Sequence, residues 1–256
     1  FVKVDGLADL LRPVTTLFSC MSVKNSVCAI QPIHYIAGIL EGRPNGRFHV
    51  DAVQALAKVA TEIYLPERVD FATFSSHKFH GLRGVGFVYI KEGKKITPLL
   101  TGGGQEKEMR STTENVAGIA ATAKALRLAM EKQEAFASKT QQMKEVIRKE
   151  LANYPDVTIF SGEDHFAPHI LTFGIKGVRG EVVVHAFEEF DIYISTTSAC
   201  SSKAGKPAGT LIAMGVDKSI AQTAVRLSLD LENDMSQVEQ FLTKFKLIYE
   251  QTRKVR

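Results

Sequence analysis

The run from Asp70 to Gly81 is apolar at first and then stops at Ser75-Ser76-His77-Lys78. Small hydroxyls, an imidazole and an amine at the end of a strand lie where open α/β sheets bind ligands, at the carboxyl edge. The lysine reads in two ways: as a solvated surface cation, or as an amine held beside an anionic cofactor and able to form a Schiff base. A second polar strand end, His49-Val50-Asp51-Ala52-Val53-Gln54, puts a carboxylate 27 positions before Lys78. That gap suits one strand-to-strand crossover, so Asp51 and Lys78 could face the same crevice. Alone, Asp51 suits a helix N-cap after a strand. Beside a Schiff-base lysine it has another use, because pyridoxal phosphate needs a carboxylate against its ring nitrogen to act as an electron sink.

A third group is Cys200, in the small, polar stretch Ile194 to Pro207. A thiol in such a loop near Lys203 is a candidate nucleophile, whereas Cys20, in an apolar run, reads as buried and inert. With Cys28 these are the three cysteines, too few and too scattered for a disulfide framework and without metal-ligand spacing. No metal is expected. His165 and His169 are four apart, but Pro168 intervenes, which argues against a helical metal pair. Gly81-x-x-Gly84-x-Gly86 precedes a strand, where a dinucleotide fingerprint needs a helix.

Regular elements must hold these groups. Residues 7–12 read as a short helix stopped by Pro13, Thr15–Val23 as a buried strand, Lys24–Ala29 as a polar loop, and Gln31 to about Glu41 as a helix. Strands are expected over 48–53, 70–75 and 84–91, with a turn at Arg43-Pro44-Asn45-Gly46. Ser111-Thr112-Thr113-Glu114 has capping-box spacing. The helical pattern from Asn115 to about Asn153 exceeds the usual helix length, which predicts a broken pair or a helix crossing between domains. After Pro155, short strands (157–160, 169–173, 193–195, 225–229) alternate with helices near 180–189, 217–224 and 235–252. The prediction is an α/β chain: a mostly parallel sheet with helices on both faces, then a smaller α+β C-terminal domain, divided as 1–130 and 131–256.

Bulk properties narrow the classes. The 256 residues are 45% hydrophobic and 23% charged, ordinary for a globular protein. The net charge of +4 is spread along the chain, so no basic face announces direct nucleic-acid binding. No apolar run approaches the roughly 20 residues of a membrane helix, and no signal-peptide pattern is visible. Sparse cysteine favours a reducing, cytoplasmic setting.

Taken together, these segments resemble the cysteine desulfurases of the NifS/IscS-like group, within the aminotransferase class V, fold-type I pyridoxal phosphate enzymes. The resemblance covers essentially the whole chain. It rests on His49–Gln54, Ser75–Lys78 with Gly81, Gly84 and Gly86, Gly102–Glu106 with Arg110–Asn115, Ser198-Ala199-Cys200-Ser201, and Arg226-Leu227-Ser228-Leu229, in the family's order and spacing. It implies a pyridoxal phosphate-dependent transferase-like fold and a homodimer. By resemblance, Lys78 holds pyridoxal 5'-phosphate covalently, Asp51 sits on the pyridine nitrogen and Gln54 on the ring hydroxyl. Ser75 and His77 bind the phosphate, and Thr113 reaches the phosphate of the neighbouring subunit. Asn25, which also touches the cofactor, and Arg226 hold the carboxylate of L-cysteine, and Cys200 takes its sulfur as a persulfide, leaving L-alanine. The sulfur then passes to an acceptor protein of iron-sulfur cluster assembly or tRNA thiolation. Alternatives within the class are a selenocysteine lyase, or an aminotransferase; the Cys200 loop speaks against most aminotransferases, which need no thiol nucleophile. Outside enzymology the alternative is a silent paralogue or fragment acting as a scaffold.

Departures accompany the matches. The family's loop usually reads Asn-Asn-Glu-x-Gly; here it is Lys24-Asn25-Ser26-Val27-Cys28. If the lost glycine needed positive φ, Cys28 carries strain of about 1 kcal/mol or more. Thr112 stands where glycine is common. The chain opens on Phe1 inside what reads as an element, so it is expected to be N-terminally truncated, with the family's phosphate loop and ring-stacking histidine upstream.

Overall fold

The computed structural model describes residues 2–197 and 209–254. They form two compact units: residues 2–23 with 31–133, and residues 24–30 with the described residues from 134 onward. The loop 24–30 therefore groups with the C-terminal half, from which it is separated by more than a hundred residues of chain.

The first unit carries α1 (Leu7–Leu10), β1 (Leu17–Met21), α2 (Ile33–Glu41), β2 (Arg47–Asp51), α3 (Thr61–Tyr64), β3 (Phe71–Ser75), β4 (Gly86–Ile90) and α4 (Val116–Glu131). Its sheet has the order β1-β2-β3-β4. The first three strands are parallel and β4 returns antiparallel against β3. The chain thus has the expected mostly parallel sheet, with β4 antiparallel at the edge. Alternation sorts the faces, since successive strand side chains point oppositely. Phe48, Val50 and Ala72 are fully buried, while His49, Asp51, Thr73 and Ser75 share the other, half-buried face. Helix α2 buries Ile33, Ile36, Ala37 and Leu40, a single stripe at helical spacing.

A buried charge ties these elements. The Asp70 carboxylate accepts from Phe48 N (2.8 Å) and pairs with Arg68 (2.8 Å) and Lys94 (3.1 Å). Arg68 also donates to the carbonyls of Leu40, Arg43 and Gly46. The end of α2, the following turn and the start of β3 are thereby fastened around one guanidinium.

The helical stretch after residue 115 is a broken pair. Helix α4 ends at Glu131, Lys132 leaves helical geometry (φ −105°, ψ 5°), and α5 (Gln133–Leu151) follows. The expected capping box does not form. Asn115 caps α4 by accepting from Gly118 N at 3.0 Å, and the Ser111 hydroxyl instead donates to Gly103 O at 2.8 Å. The reason lies at Thr112, whose φ of 100° turns the backbone off any helical path. Its conformation matches the residue type noted as unusual there.

The second unit adds β5 (Val157–Ile159), β6 (Ile170–Ile175), α6 (Gly180–Glu188), β7 (Ser195–Thr196), α7 (Gly209–Ala213), α8 (Lys218–Ala221), β8 (Ala224–Ser228) and α9 (Met235–Lys254). Its sheet runs β5-β6-β8-β7 and is antiparallel throughout. One face packs on α5, α6 and α9 through Met143, Ile147, Val183, Phe187, Phe241 and Phe245. A smaller cluster includes Val27 and Ala29 from the loop, with Phe160, Leu211 and Ala224.

Candidate active site

In the first unit the candidate groups stand at the carboxyl ends of neighbouring parallel strands. Asp51 is the last residue of β2 and pairs in register with Thr73 of β3. Its Oδ1 accepts from Val53 N at 3.1 Å, a short bond that turns the chain out of the sheet. Gln54 follows, buried. Ser75 ends β3, and Ser76, His77 and Lys78 form a single 3-10 turn beyond it. Lys78 therefore lies on the turn rather than on the strand, with a half-buried side chain that makes no hydrogen bond or ion pair among the described residues.

Two glycines make that turn possible. A Cβ on Gly81 would lie 1.9 Å from Ser76 Oγ, and one on Gly86 would lie 2.5 Å from Phe74 O. Ser76 is fully buried, its hydroxyl 2.9 Å from Thr122 Oγ1, which donates to Gly118 O in α4. The turn is thus anchored from below by Ser76, leaving its neighbours Ser75, His77 and Lys78 for other partners.

The charge at this edge is positive. Partial burial, and then the cations Lys78, Arg83 and Lys58, lower the pKa of the exposed His77 imidazole. A hydroxyl, an imidazole and an amine in a locally cationic setting form a donor set suited to a phosphate. The Asp51 carboxylate on the adjacent strand suits a ring nitrogen that must keep its proton. The residues present fit a pyridoxal phosphate, and among the described residues no group of side chains could hold a metal ion. On the same face, the His49 ring lies 2.7 Å from Ser19 Oγ and 3.1 Å from Thr73 Oγ1, bridging three strands. Burial lowers the His49 pKa and the nearby Asp51 charge opposes that shift.

Thr113 is exposed, two residues before the Asn115 cap. Cys20 is half-buried, and burial pushes its thiol up to about 11, which suppresses the thiolate.

Asn25 and Arg226 meet in the second unit. Arg226 Nη1 donates to Asn25 O at 3.2 Å, across 201 residues of sequence. The next carbonyls of the loop are held in the same manner: Thr172 Oγ1 donates to Ser26 O (2.6 Å) and Ser161 Oγ to Val27 O (2.9 Å). Three successive carbonyls of the Asn25 loop are fixed by side chains of the second unit. Sequence reasoning missed Thr172 and Ser161; the only signal was a polar residue inside the apolar run Ile170-Leu171-Thr172-Phe173.

Cys28 adopts φ 63° and is fully buried, so the loop keeps the left-handed turn without its glycine. Its Sγ lies 3.9 Å from both ring nitrogens of His169. Nearby, the buried Lys144 donates to Ala167 O at 2.8 Å, and burial lowers its pKa against the opposing pull of Cys28. These three chemistry-bearing residues are closed off from solvent. Cys200 lies outside the described residues.

The mostly parallel sheet with a lysine turn at its carboxyl edge agrees with the pyridoxal phosphate-dependent transferase-like (fold-type I) α/β architecture that the sequence resemblance implies. The family model described as Aminotransferase class-V matches residues 1–241, and the chain belongs to that family. Among curated relatives it is 48% identical over 255 residues to a NifS/IcsS protein homolog of Lactobacillus delbrueckii subsp. bulgaricus, covering 99% of this chain and 66% of that protein. It is 34% identical over 258 residues to a cysteine desulfurase IscS of Clostridium botulinum, covering 100% of this chain and 64% of that one. Among solved structures, one titled NifS-like protein superposes with a TM-score of 0.89 at 35% identity, covering 97% of this chain and 65% of its own. The chain spans about two thirds of the length of the relatives it matches.

Proposed function

We propose that the protein to which this chain belongs is a pyridoxal phosphate-dependent cysteine desulfurase. The reading is carried by one observation: the Lys78 turn at the end of β3 lies next to the Asp51 strand end, giving an amine and a carboxylate at one sheet edge. The names of the relatives, NifS homolog and cysteine desulfurase, support the substrate.

Bound covalently to Lys78, pyridoxal phosphate supplies an electron sink for bonds at the substrate's α and β carbons. Asp51 holds a proton on the ring nitrogen, and Gln54 bonds the ring hydroxyl. Ser75 Oγ and the His77 ring bind the phosphate, and Thr113 serves the phosphate of a second subunit in a homodimer. Arg226 grips the substrate carboxylate in a fork suited to two parallel bonds, with the Asn25 amide beside it. The Lys78 amine would carry a proton at the substrate Cα. Cys200 attacks the substrate sulfur as a thiolate. The carbon–sulfur bond breaks, a sulfur–sulfur bond forms on Cys200, and the electron pair left on Cβ takes a proton to give alanine. The persulfide then passes to an acceptor of cluster assembly or tRNA thiolation in the cytoplasm. Residues 1–130 would belong to the cofactor-binding domain, and residues 131–256 would form the smaller domain that carries Cys200.

A silent scaffold is the competing reading, favoured by the strained Cys28 beside Asn25 and Ser26. One experiment separates them. The whole protein, mixed with pyridoxal phosphate, is expected to turn yellow, and borohydride followed by peptide mass spectrometry is expected to place a pyridoxyl label on Lys78. Cys200→Ser should keep the label and lose sulfide release from cysteine. A colourless protein without label would overturn the enzyme reading.

A further inference from the structure

Arg226 has two neighbours in register on its face of the second sheet: Thr172 of β6 and Ser195 of β7. Directly opposed residues on antiparallel strands bring their Cβ atoms within about 5 Å of each other. The two neighbours differ in one respect. Thr172 has spent its hydroxyl on Ser26 O at 2.6 Å. The Ser195 hydroxyl is shut off from solvent and has no hydrogen-bond partner among the described residues.

A buried hydroxyl without a partner is costly, and native structures rarely keep one without a use. Ser195 can donate one proton as well as accept, and it stands beside a guanidinium that only donates and already gives one bond to Asn25 O. A carboxylate, with two acceptor oxygens and a negative charge, complements a hydroxyl donor beside a guanidinium. We propose that Ser195 is a substrate-binding residue whose hydroxyl donates to the amino-acid carboxylate held by Arg226. The Ser195–Arg226 pair would then read the carboxylate, while Thr172 holds the Asn25 loop beside it. The inference rests on Arg226 as the carboxylate anchor and extends it to a residue on another strand.

The test uses the cofactor-loaded whole protein, with Ser195→Ala, the near-isosteric Ser195→Cys, Ser195→Thr and Arg226→Lys. The first readout is the split between KM and kcat for L-cysteine. The second is the thermal shift produced by 3-mercaptopropionate, which has the carboxylate and thiol of cysteine but no amine to react with the cofactor. Ser195→Ala and Ser195→Cys are expected to raise KM and weaken 3-mercaptopropionate about tenfold, with kcat within about twofold, as for one hydrogen bond to a charged group. Ser195→Thr, which keeps the hydroxyl, is expected to retain most of the affinity. Unchanged KM and ligand shift in Ser195→Ala, with a raised melting temperature, would overturn the proposal, since that is the signature of an orphaned hydroxyl simply removed. A loss confined to kcat would overturn it too. If Arg226→Lys also leaves both readouts unchanged, the anchor reading itself falls.

Discussion

Cys28 shows how much one residue type can cost where the backbone is already committed. Its carbonyl accepts from Ala167 N and its own N–H donates to Lys24 O, so the left-handed φ of 63° is held from both sides. An L side chain there carries about 1 kcal/mol that glycine avoids. The thiol returns some of this by filling space against His169. These two contributions separate in mutants. Cys28→Ala is expected to lose the sulfur contacts and keep the strain, whereas Cys28→Gly loses the contacts and sheds the strain. Glycine should therefore be more stable than alanine by about 1 kcal/mol in urea melts, the reverse of their order in a helix. Equal stabilities, or alanine the better, would show that the loop is not held at this φ.

At the scale of elements, the buried Asp70 joins the start of β2 to β3 and, through Arg68, to the end of α2. Burial by itself would raise the Asp70 pKa; the bonds from Phe48 N, Arg68 and Lys94 outweigh it and hold the carboxyl below its ordinary value. A depressed carboxyl pKa means the unfolded chain binds the proton first. Its contribution is complete above the unfolded value of about 4 and is lost as pH falls through the lower folded value. Asp70→Asn is expected to cost about 3 kcal/mol at neutral pH, since it leaves Arg68 half-buried without its charge partner. The gap between variant and parent should narrow as denaturant melts are taken below pH 4. A gap independent of pH would assign the loss to packing instead. The same scale explains the cap of α4: Ser111 satisfies the local pattern of a cap, yet it is engaged by Gly103, and Asn115 takes the position beyond the turn at Thr112.

On the scale of the molecule, each unit has its own sheet, and the second is built around an aromatic cluster. Phe245 is fully buried, edge-on to Tyr154 (5.1 Å) and Phe173 (5.7 Å). Phe245→Ala is expected to cost the second unit about 4 kcal/mol. Amide hydrogen exchange should speed up in β6 and β8, and also in the loop 25–28, because its carbonyls hang from Thr172 and Ser161. Protection of β2 and β3 should change less. Uniform loss of protection across both sheets would show that the units do not melt as separate bodies.

The sequence by itself determined which reactive groups this protein has and brought Asp51 and Ser75 to the ends of neighbouring strands. An apolar run ending in Ser-Ser-His-Lys, a carboxylate closing the preceding strand, and a helical stretch longer than usual are local patterns. Alternation of period two and helical spacing are set by the backbone within a few residues, so they survive being read one window at a time. The strand end at Ser75 follows from them; the strand read over 48–53 ends at Asp51, and the break at Lys132 decides between the broken pair and the single crossing helix that the long pattern left open. Only the tertiary structure decided that the loop 24–30 folds with the C-terminal half, that Arg226 lies between Thr172 and Ser195, and that Cys28 is buried against His169. Those facts rest on hydrogen bonds and register between residues more than 130 positions apart, or on strand pairings chosen by the whole core. A side chain donating to a distant carbonyl leaves no period in the sequence, because its partner's identity is irrelevant when the acceptor is backbone.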